Sequence, residues 1–88
     1  MPVRDVEIVN RQGIHARPAT QFVMTAKKYP CRVTVRMGAK TSDGKSIMAM
    51  MLLAAMPGTV LRIEAEGDQA EACLEALTEL IRAKFHED

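Results

Sequence analysis

The sequence predicts an α+β domain in which an antiparallel sheet leaves one face open to water. Three stretches alternate between apolar and polar residues, as strands with one buried face do. Three other stretches place apolar residues at helical spacing. With a short fourth strand they follow one another in the order β-α-β-β-α-β-α. The 88 residues support one domain with a small core, and we assign residues 1–88 to it.

The strands are identified first. Apolar positions on one side of each are Val6 and Ile8, then Val33, Val35 and Met37, and finally Leu61, Ile63 and Ala65. Gly38 predicts a turn into a short strand around residues 40–42, and Asp43-Gly44 and Pro57-Gly58 predict two further turns. The sheet therefore has four predicted strands.

The first and last helices have clear boundaries. The first is predicted over about residues 16–28 and ends before Tyr29-Pro30, because a proline disfavours helical backbone in the residue before it. For the last helix, Asp68 is the predicted N-cap, with Glu71 completing a capping box. Its helical spacing runs through Ala70, Cys73, Leu74, Leu77, Ile81 and Lys84.

The middle helix, predicted over residues 46–56, is apolar nearly all round. One buried stripe of a short helix requires fewer apolar residues than this. We interpret Ile47, Met48 and Met51 as an exposed docking patch, since methionine suits a surface that binds several partners, and Met50 and Leu53 as core. The alternative is that the whole cluster fills a small core. Ser46 is the predicted N-cap, and capping alone explains its presence.

Composition narrows the class of protein. The formal net charge is +1 with acids and bases interleaved, and only Phe22, Tyr29 and Phe85 are aromatic, which argues against nucleic acid and membrane surfaces as partners. No membrane span or signal peptide is recognisable, so we expect a cytoplasmic protein. Cys31 and Cys73 have no Cys or His at ligand spacing; we expect them to stay reduced and pack as apolar residues, with no metal site.

The segment Gly13-Ile14-His15-Ala16-Arg17-Pro18-Ala19-Thr20 places a histidine immediately before a predicted helix. The first backbone N–H groups of a helix have no carbonyl partner and attract anions. The N–H groups of Ala16 and Arg17 are therefore predicted to face a phosphate held on His15. Pro18 favours initiation of the helix, and the Arg17 guanidinium can hold two phosphoryl oxygens. His15 is thus a candidate phosphoryl acceptor, although a lone histidine in a loop is more often simply solvated, as we expect for His86.

Two motifs, Gly13-Ile14-His15-Ala16-Arg17-Pro18-Ala19 and Lys45-Ser46-Ile47-Met48, stand at the separation found in a known family. Over essentially its whole length the chain resembles HPr, the histidine-containing phosphocarrier family of the bacterial phosphoenolpyruvate-dependent phosphotransferase system. The resemblance implies an open-faced β-sandwich, in which three helices cover one side of a four-stranded antiparallel sheet. The chain departs from the family's sequence pattern in the Met- and Ala-rich middle helix and in the turn over residues 37–44.

The resemblance also implies roles for individual residues. His15 takes a phosphoryl group on Nδ1 from the phosphohistidine of enzyme I and passes it to a histidine of a IIA domain, while Arg17 stabilises the phosphate. Thr20, Ile47, Met48 and Met51 form the docking surface. Ser46 matches the residue that HPr kinase/phosphorylase modifies, which would allow a regulatory protein as a further partner. The chain itself is then a carrier and not an enzyme, without cofactor or metal, and a monomer suits successive docking.

Two other functions remain open at this stage. The chain could be a regulatory binding module, in carbon or nitrogen signalling, that acts through phospho-Ser46 or phospho-His15 in an incomplete phosphotransferase system. It could also be a ligand-binding α/β domain that shares the order of elements. That last function needs an enclosed pocket, for which a core this small leaves little room.

Overall fold

The computed structural model describes residues 2–87, and these form a four-stranded antiparallel sheet with three helices over one face. The strands are β1 (Val3–Glu7), β2 (Arg32–Met37), β3 (Lys40–Asp43) and β4 (Val60–Glu66), and the helices are α1 (Ala16–Ala26), α2 (Ile47–Leu53) and α3 (Ala70–Arg82). A short 3-10 turn follows at Lys84–His86. The predicted fold class and the order β-α-β-β-α-β-α are confirmed.

The sheet has the strand order β1-β4-β2-β3, so that the first and last strands of the chain pair with each other. Val6 lies opposite Leu61 in this pairing, and Val35 lies opposite Ile63 of β4 and Ser42 of β3. The face beneath the helices is apolar and carries Val6, Val33, Val35, Leu61, Ile63 and Ala65. Because side chains alternate between faces, a slip of one residue in the pairing of a strand would turn that strand's apolar side chains toward water.

The helices bury one face each against this sheet. α1 contributes Pro18, Ala19, Phe22, Val23 and Ala26, and α3 contributes Ala70, Cys73, Leu74, Leu77, Thr78 and Ile81. Both cysteines are buried and free, as predicted. Burial, together with a hydrogen bond to Cys31, raises the pKa of Cys73 to about 12, which keeps this thiol protonated. No helix within residues 2–87 is long and apolar enough to cross a bilayer.

Three predicted helix boundaries are wrong. α3 is not capped by Asp68: the chain enters it through Gln69 in left-handed conformation (φ +63°), which leaves Asp68 one residue before the cap position. The same helix ends at Arg82, and Lys84 belongs to the following turn. α2 ends at Leu53 instead of residue 56, because Ala54 adopts a left-handed conformation (φ +54°) and redirects the chain. A smaller difference is that α1 ends at Ala26, two residues early.

Candidate functional site

His15 stands at the N-terminus of α1, as its sequence predicts. Its backbone is extended (φ −107°, ψ −163°) and its imidazole makes no capping hydrogen bond. The His15 carbonyl accepts the first hydrogen bond of the helix, from Ala19 N at 3.0 Å. The amides of Ala16 and Arg17 precede the first helical donor and have no carbonyl four residues back within α1. An anion carried on the His15 ring would meet this positive end of the helix.

The loop that carries His15 lies directly against the chain segment that follows α2. Ile14 N donates to the Ala55 carbonyl oxygen at 2.8 Å. Gly13 has φ +69°, and a Cβ built on it would overlap the Ala55 oxygen and lie 3.0 Å from Met56 Cα. Glycine is therefore required at position 13 both for its backbone conformation and for the close approach of the two segments. The contact places the histidine loop beside the end of α2.

A carboxylate lies beside the His15 ring. Glu87 Oε1 is 3.3 Å from His15 Nε2 and accepts a hydrogen bond from Asn10 Nδ2 at 2.9 Å. The same Asn10 nitrogen also donates to Gly13 O at 2.7 Å, so the fully buried Asn10 ties the histidine loop to the end of the chain. The His15 side chain is 37% exposed and that of Glu87 only 19%.

These contacts change the titration of Glu87. The hydrogen bonds from Asn10 and then His15, with the nearby charges of His15 and Arg17, hold the pKa of the Glu87 carboxyl below its usual range. A depressed pKa means that the contacts favour the ionised form. The carboxylate is therefore ionised at neutral pH. The stability that its contacts contribute to the folded protein is lost only as the pH falls through this lowered pKa.

Residues 84–87, which we call the C-terminal strap, hold Glu87 in this position. Lys84, Phe85 and His86 all adopt left-handed conformations, with φ of 57°, 55° and 59°. Each costs about 1–2 kcal/mol for a residue with a side chain. Burial of Phe85, which is 1% exposed, contributes about 1.5–3 kcal/mol in the opposite direction. Two turn hydrogen bonds, His86 N to Ala83 O and Glu87 N to Lys84 O, complete the strap.

The other predicted residues lie on the surface around His15. Arg17 is exposed in the first turn of α1, and Thr20 is exposed one turn later, with its hydroxyl donating to Ala16 O at 2.8 Å. α2 packs against α1, and the segment that follows α2 contacts the loop that carries His15. The candidate acceptor, its arginine and the predicted docking helix therefore belong to neighbouring elements of the fold.

α2 divides its apolar residues as predicted. Ile47, Met48 and Met51 are exposed, Met48 to 68%, while Met50 and Leu53 are buried. Ser46 caps the helix, and its Oγ accepts from Ala49 N at 3.2 Å. We refer to Thr20, Ile47, Met48 and Met51, the exposed residues that were predicted to dock partners, as the docking face.

Comparison with known proteins gives the family. A family model described as "PTS HPr component phosphorylation site" matches residues 3–83. The chain belongs to the HPr family. It is 48% identical to the phosphocarrier protein HPr of Pseudomonas aeruginosa over 88 residues, which cover 99% of this chain and 98% of that one. The chain is thus a phosphocarrier of the phosphotransferase system.

Solved HPr structures have the same fold. HPr-C-His from Thermoanaerobacter tengcongensis is 42% identical and superposes with a TM-score of 0.95, covering 100% of this chain and 99% of that one. An HPr dimer from the same organism is 44% identical, with a TM-score of 0.79, and covers 93% and 94% of the two chains. The open-faced sandwich implied by the resemblance is therefore confirmed.

Sequence reasoning missed three residues in and around this candidate site. Asn10 and Glu87 are 77 positions apart, and nothing in local spacing indicates that they meet. One residue could have predicted that the strap packs on the core. This is Phe85, a single aromatic residue beyond the end of α3, whose large apolar side chain is expected to be buried. Leu52 is the third: it is 74% exposed on α2, in a helix whose buried side needs only Met50 and Leu53.

Proposed function

We propose that this chain carries a phosphoryl group on His15 Nδ1, which it receives from the phosphohistidine of enzyme I and delivers to a histidine of a IIA domain. The observation that carries the proposal is the position of the partly exposed His15 ring at an uncapped helix N-terminus, in a chain that belongs to a phosphocarrier family. The chain acts as a stoichiometric carrier, as a monomer in the cytoplasm, and needs no cofactor.

The chemistry follows from this geometry. The lone pair of Nδ1 attacks phosphorus as the bond from phosphorus to the donor nitrogen breaks, and the electron pair of that bond returns to the donor histidine. The transition state is loose and spreads its charge over the equatorial oxygens. The amides at the start of α1 and the Arg17 guanidinium stabilise this charge. The partner protein supplies the second histidine, the in-line geometry and the exclusion of water.

The test is the intact mass of the protein after incubation with phosphoenolpyruvate and a general enzyme I. We expect a gain of one phosphoryl group, lost on mild acid treatment as a phosphoramidate is and a phosphoserine is not. An acid-stable gain, or no gain by the folded protein, would contradict the carrier function.

Replacing Arg17 with alanine should slow phosphoryl transfer roughly 10- to 100-fold, the equivalent of a charge-assisted hydrogen bond of about 1.5–3 kcal/mol. Arg17 is exposed and its loss leaves the core intact, so the unfolding midpoint should stay within error of wild type. Rapid-quench phosphorylation by phospho-enzyme I measures the rate. The control variant is Arg11→Ala, which removes a positive charge four residues before His15, in the preceding turn. If both variants slow phosphorylation equally, the effect is a general loss of positive charge and Arg17 has no specific role.

We also propose that phosphorylation of Ser46 regulates docking, through HPr kinase/phosphorylase and a regulatory partner. Ser46 directly precedes the exposed Ile47 and Met48, so a phosphate on its hydroxyl would put about two negative charges beside the docking face. This is the observation that favours the second candidate function, a regulatory module in carbon or nitrogen signalling. Where such a module acts through phospho-Ser46, Ser46 is needed for the output and His15 is dispensable.

Two substitutions at Ser46 separate capping from docking. Ser46→Ala removes the hydroxyl that accepts from Ala49 N and should lower stability by about 1 kcal/mol with docking unchanged. Ser46→Asp keeps a good cap and should weaken binding to enzyme I about tenfold or more, because burying an unpaired polar group costs about 1–3 kcal/mol. Chemical denaturation and calorimetric titration give the two quantities. Tight binding by Ser46→Asp would argue against regulation through charge at this position.

A further inference from the structure

The contact between Glu87 and the His15 ring distinguishes the two ring nitrogens. An ionised carboxylate only accepts hydrogen bonds, so the 3.3 Å contact with Glu87 Oε1 requires the proton of a neutral ring to be on Nε2. Nδ1 then carries the free lone pair. We propose that Glu87 is a positioning residue, which holds His15 in the Nε2–H tautomer and thereby makes Nδ1 the only nucleophilic nitrogen of the ring. This inference rests on the proposed transfer through His15.

Glu87 is itself held from two sides, as a positioning residue must be. On one side Asn10 Nδ2 donates to the same Oε1 at 2.9 Å and to Gly13 O at 2.7 Å, which fixes the carboxylate relative to the loop that carries His15. Both bonds use the amide nitrogen as donor, and they determine which way the Asn10 amide is oriented. In this orientation Asn10 Oδ1 is buried and has no hydrogen-bond partner among the described residues. On the other side the buried Phe85 anchors the strap.

The location of the carboxylate argues against a blocking role. Glu87 contacts Nε2, on the opposite side of the imidazole from the nitrogen that would bear phosphorus. The positive charge of Arg17 is one of the influences that lower the pKa of the Glu87 carboxyl, so the two side chains act on each other beside the ring. A phosphoryl group can therefore be accepted without displacing the strap.

The transfer step gives the carboxylate a further effect. When neutral Nδ1 attacks phosphorus, the new N–P bond forms while the Nε2–H bond stays intact, so the imidazole ring becomes positively charged. The Glu87 carboxylate lies beside the hydrogen on Nε2 and stabilises this charge as it develops. The same contact that selects the tautomer before the reaction thus becomes stronger during it.

Nitrogen NMR of the His15 ring tests the tautomer without any partner enzyme. At an alkaline pH at which the ring is neutral, we expect almost pure Nε2–H tautomer in wild type and a clear increase of the Nδ1–H form in Glu87→Ala. Glu87→Gln keeps an acceptor oxygen without the charge and should retain the tautomer. The exposed His86 is an internal reference, and Glu66→Ala, at the far end of β4, is the matched control.

Rates complete the test. Glu87→Ala should be phosphorylated roughly 2- to 10-fold more slowly than wild type, the effect of one hydrogen bond, with Glu87→Gln slowed by the missing charge alone and Glu66→Ala unchanged. Unchanged tautomer populations in a folded Glu87→Ala protein would overturn the inference. A tautomer shift with no phosphoryl uptake by any of the proteins would instead support the positioning and contradict the proposed function, so the two failures are distinguishable.

Discussion

Replacing His15 with alanine is expected to abolish phosphorylation from phospho-enzyme I completely. The substitution removes the nucleophilic atom that the proposed transfer uses, and the neighbouring side chains of Ile14, Ala16 and Arg17 offer no replacement for it. Stability should change by no more than about 1 kcal/mol, because the imidazole is partly exposed, makes no capping hydrogen bond and loses a single contact to Glu87. Intact mass spectrometry and a denaturant titration measure the two quantities.

The chain provides a matched control in its second histidine. His86 is exposed in the C-terminal strap with φ +59°, so asparagine, which tolerates left-handed backbone, is the least disruptive replacement. His86→Asn should keep the full acid-labile label. If the label survives in His15→Ala and disappears in His86→Asn, the acceptor has been assigned to the wrong histidine.

The second large effect is expected at Gly13. Alanine there must adopt a left-handed conformation, which costs about 1–2 kcal/mol, and its Cβ would overlap the Ala55 carbonyl oxygen. That oxygen accepts from Ile14 N, so relief of the overlap also weakens a backbone hydrogen bond. We expect Gly13→Ala to lower the free energy of unfolding by about 3–4 kcal/mol in total, a shift of the denaturation midpoint at constant m-value. Phosphorylation should also slow, because the loop carries His15.

Gly38 separates the two contributions. It has φ +59° in the turn between β2 and β3, and a Cβ at this position would have no neighbour within 4 Å. Gly38→Ala therefore incurs only the backbone cost of about 1–2 kcal/mol. The difference between the two variants measures the close approach of the histidine loop to the segment after α2. Equal destabilisation of both would mean that this approach contributes nothing.

Local pattern was sufficient to predict the sheet and the helices. Alternation identifies β2 and β4 because one face of each meets the core and the other meets water, and helical spacing identifies α1 and α3 for the same reason. The position of His15 at the start of α1 was also predictable, since a histidine, an arginine and a proline around a helix start are local in sequence. The division of α2 into an exposed and a buried side was predictable as well, because only Met50 and Leu53 are needed for the core.

What could not be predicted depends on contacts between distant residues. α2 stops at Leu53 so that Ala55 can receive the Ile14 amide, and no residue within α2 carries that information. Asp68 has the right chemistry for a cap, but the left-handed Gln69 changes which residue precedes the helix. Glu87 meets His15 only because Phe85 is buried and a run of left-handed residues turns the chain back.

The strand order has a consequence for how the protein is made. β1 pairs with β4, whose residues follow it by more than fifty positions, whereas β2 and β3 form a local hairpin. Non-local pairings of this kind close late in folding, because the chain between them loses entropy before the contacts form. The histidine loop directly follows β1, rests on Ala55 and meets Glu87 at the far end of the chain. A nascent chain that is still emerging from the ribosome therefore carries His15 before it has the contacts to Ala55 and Glu87, and under the proposed function it is not yet a competent acceptor.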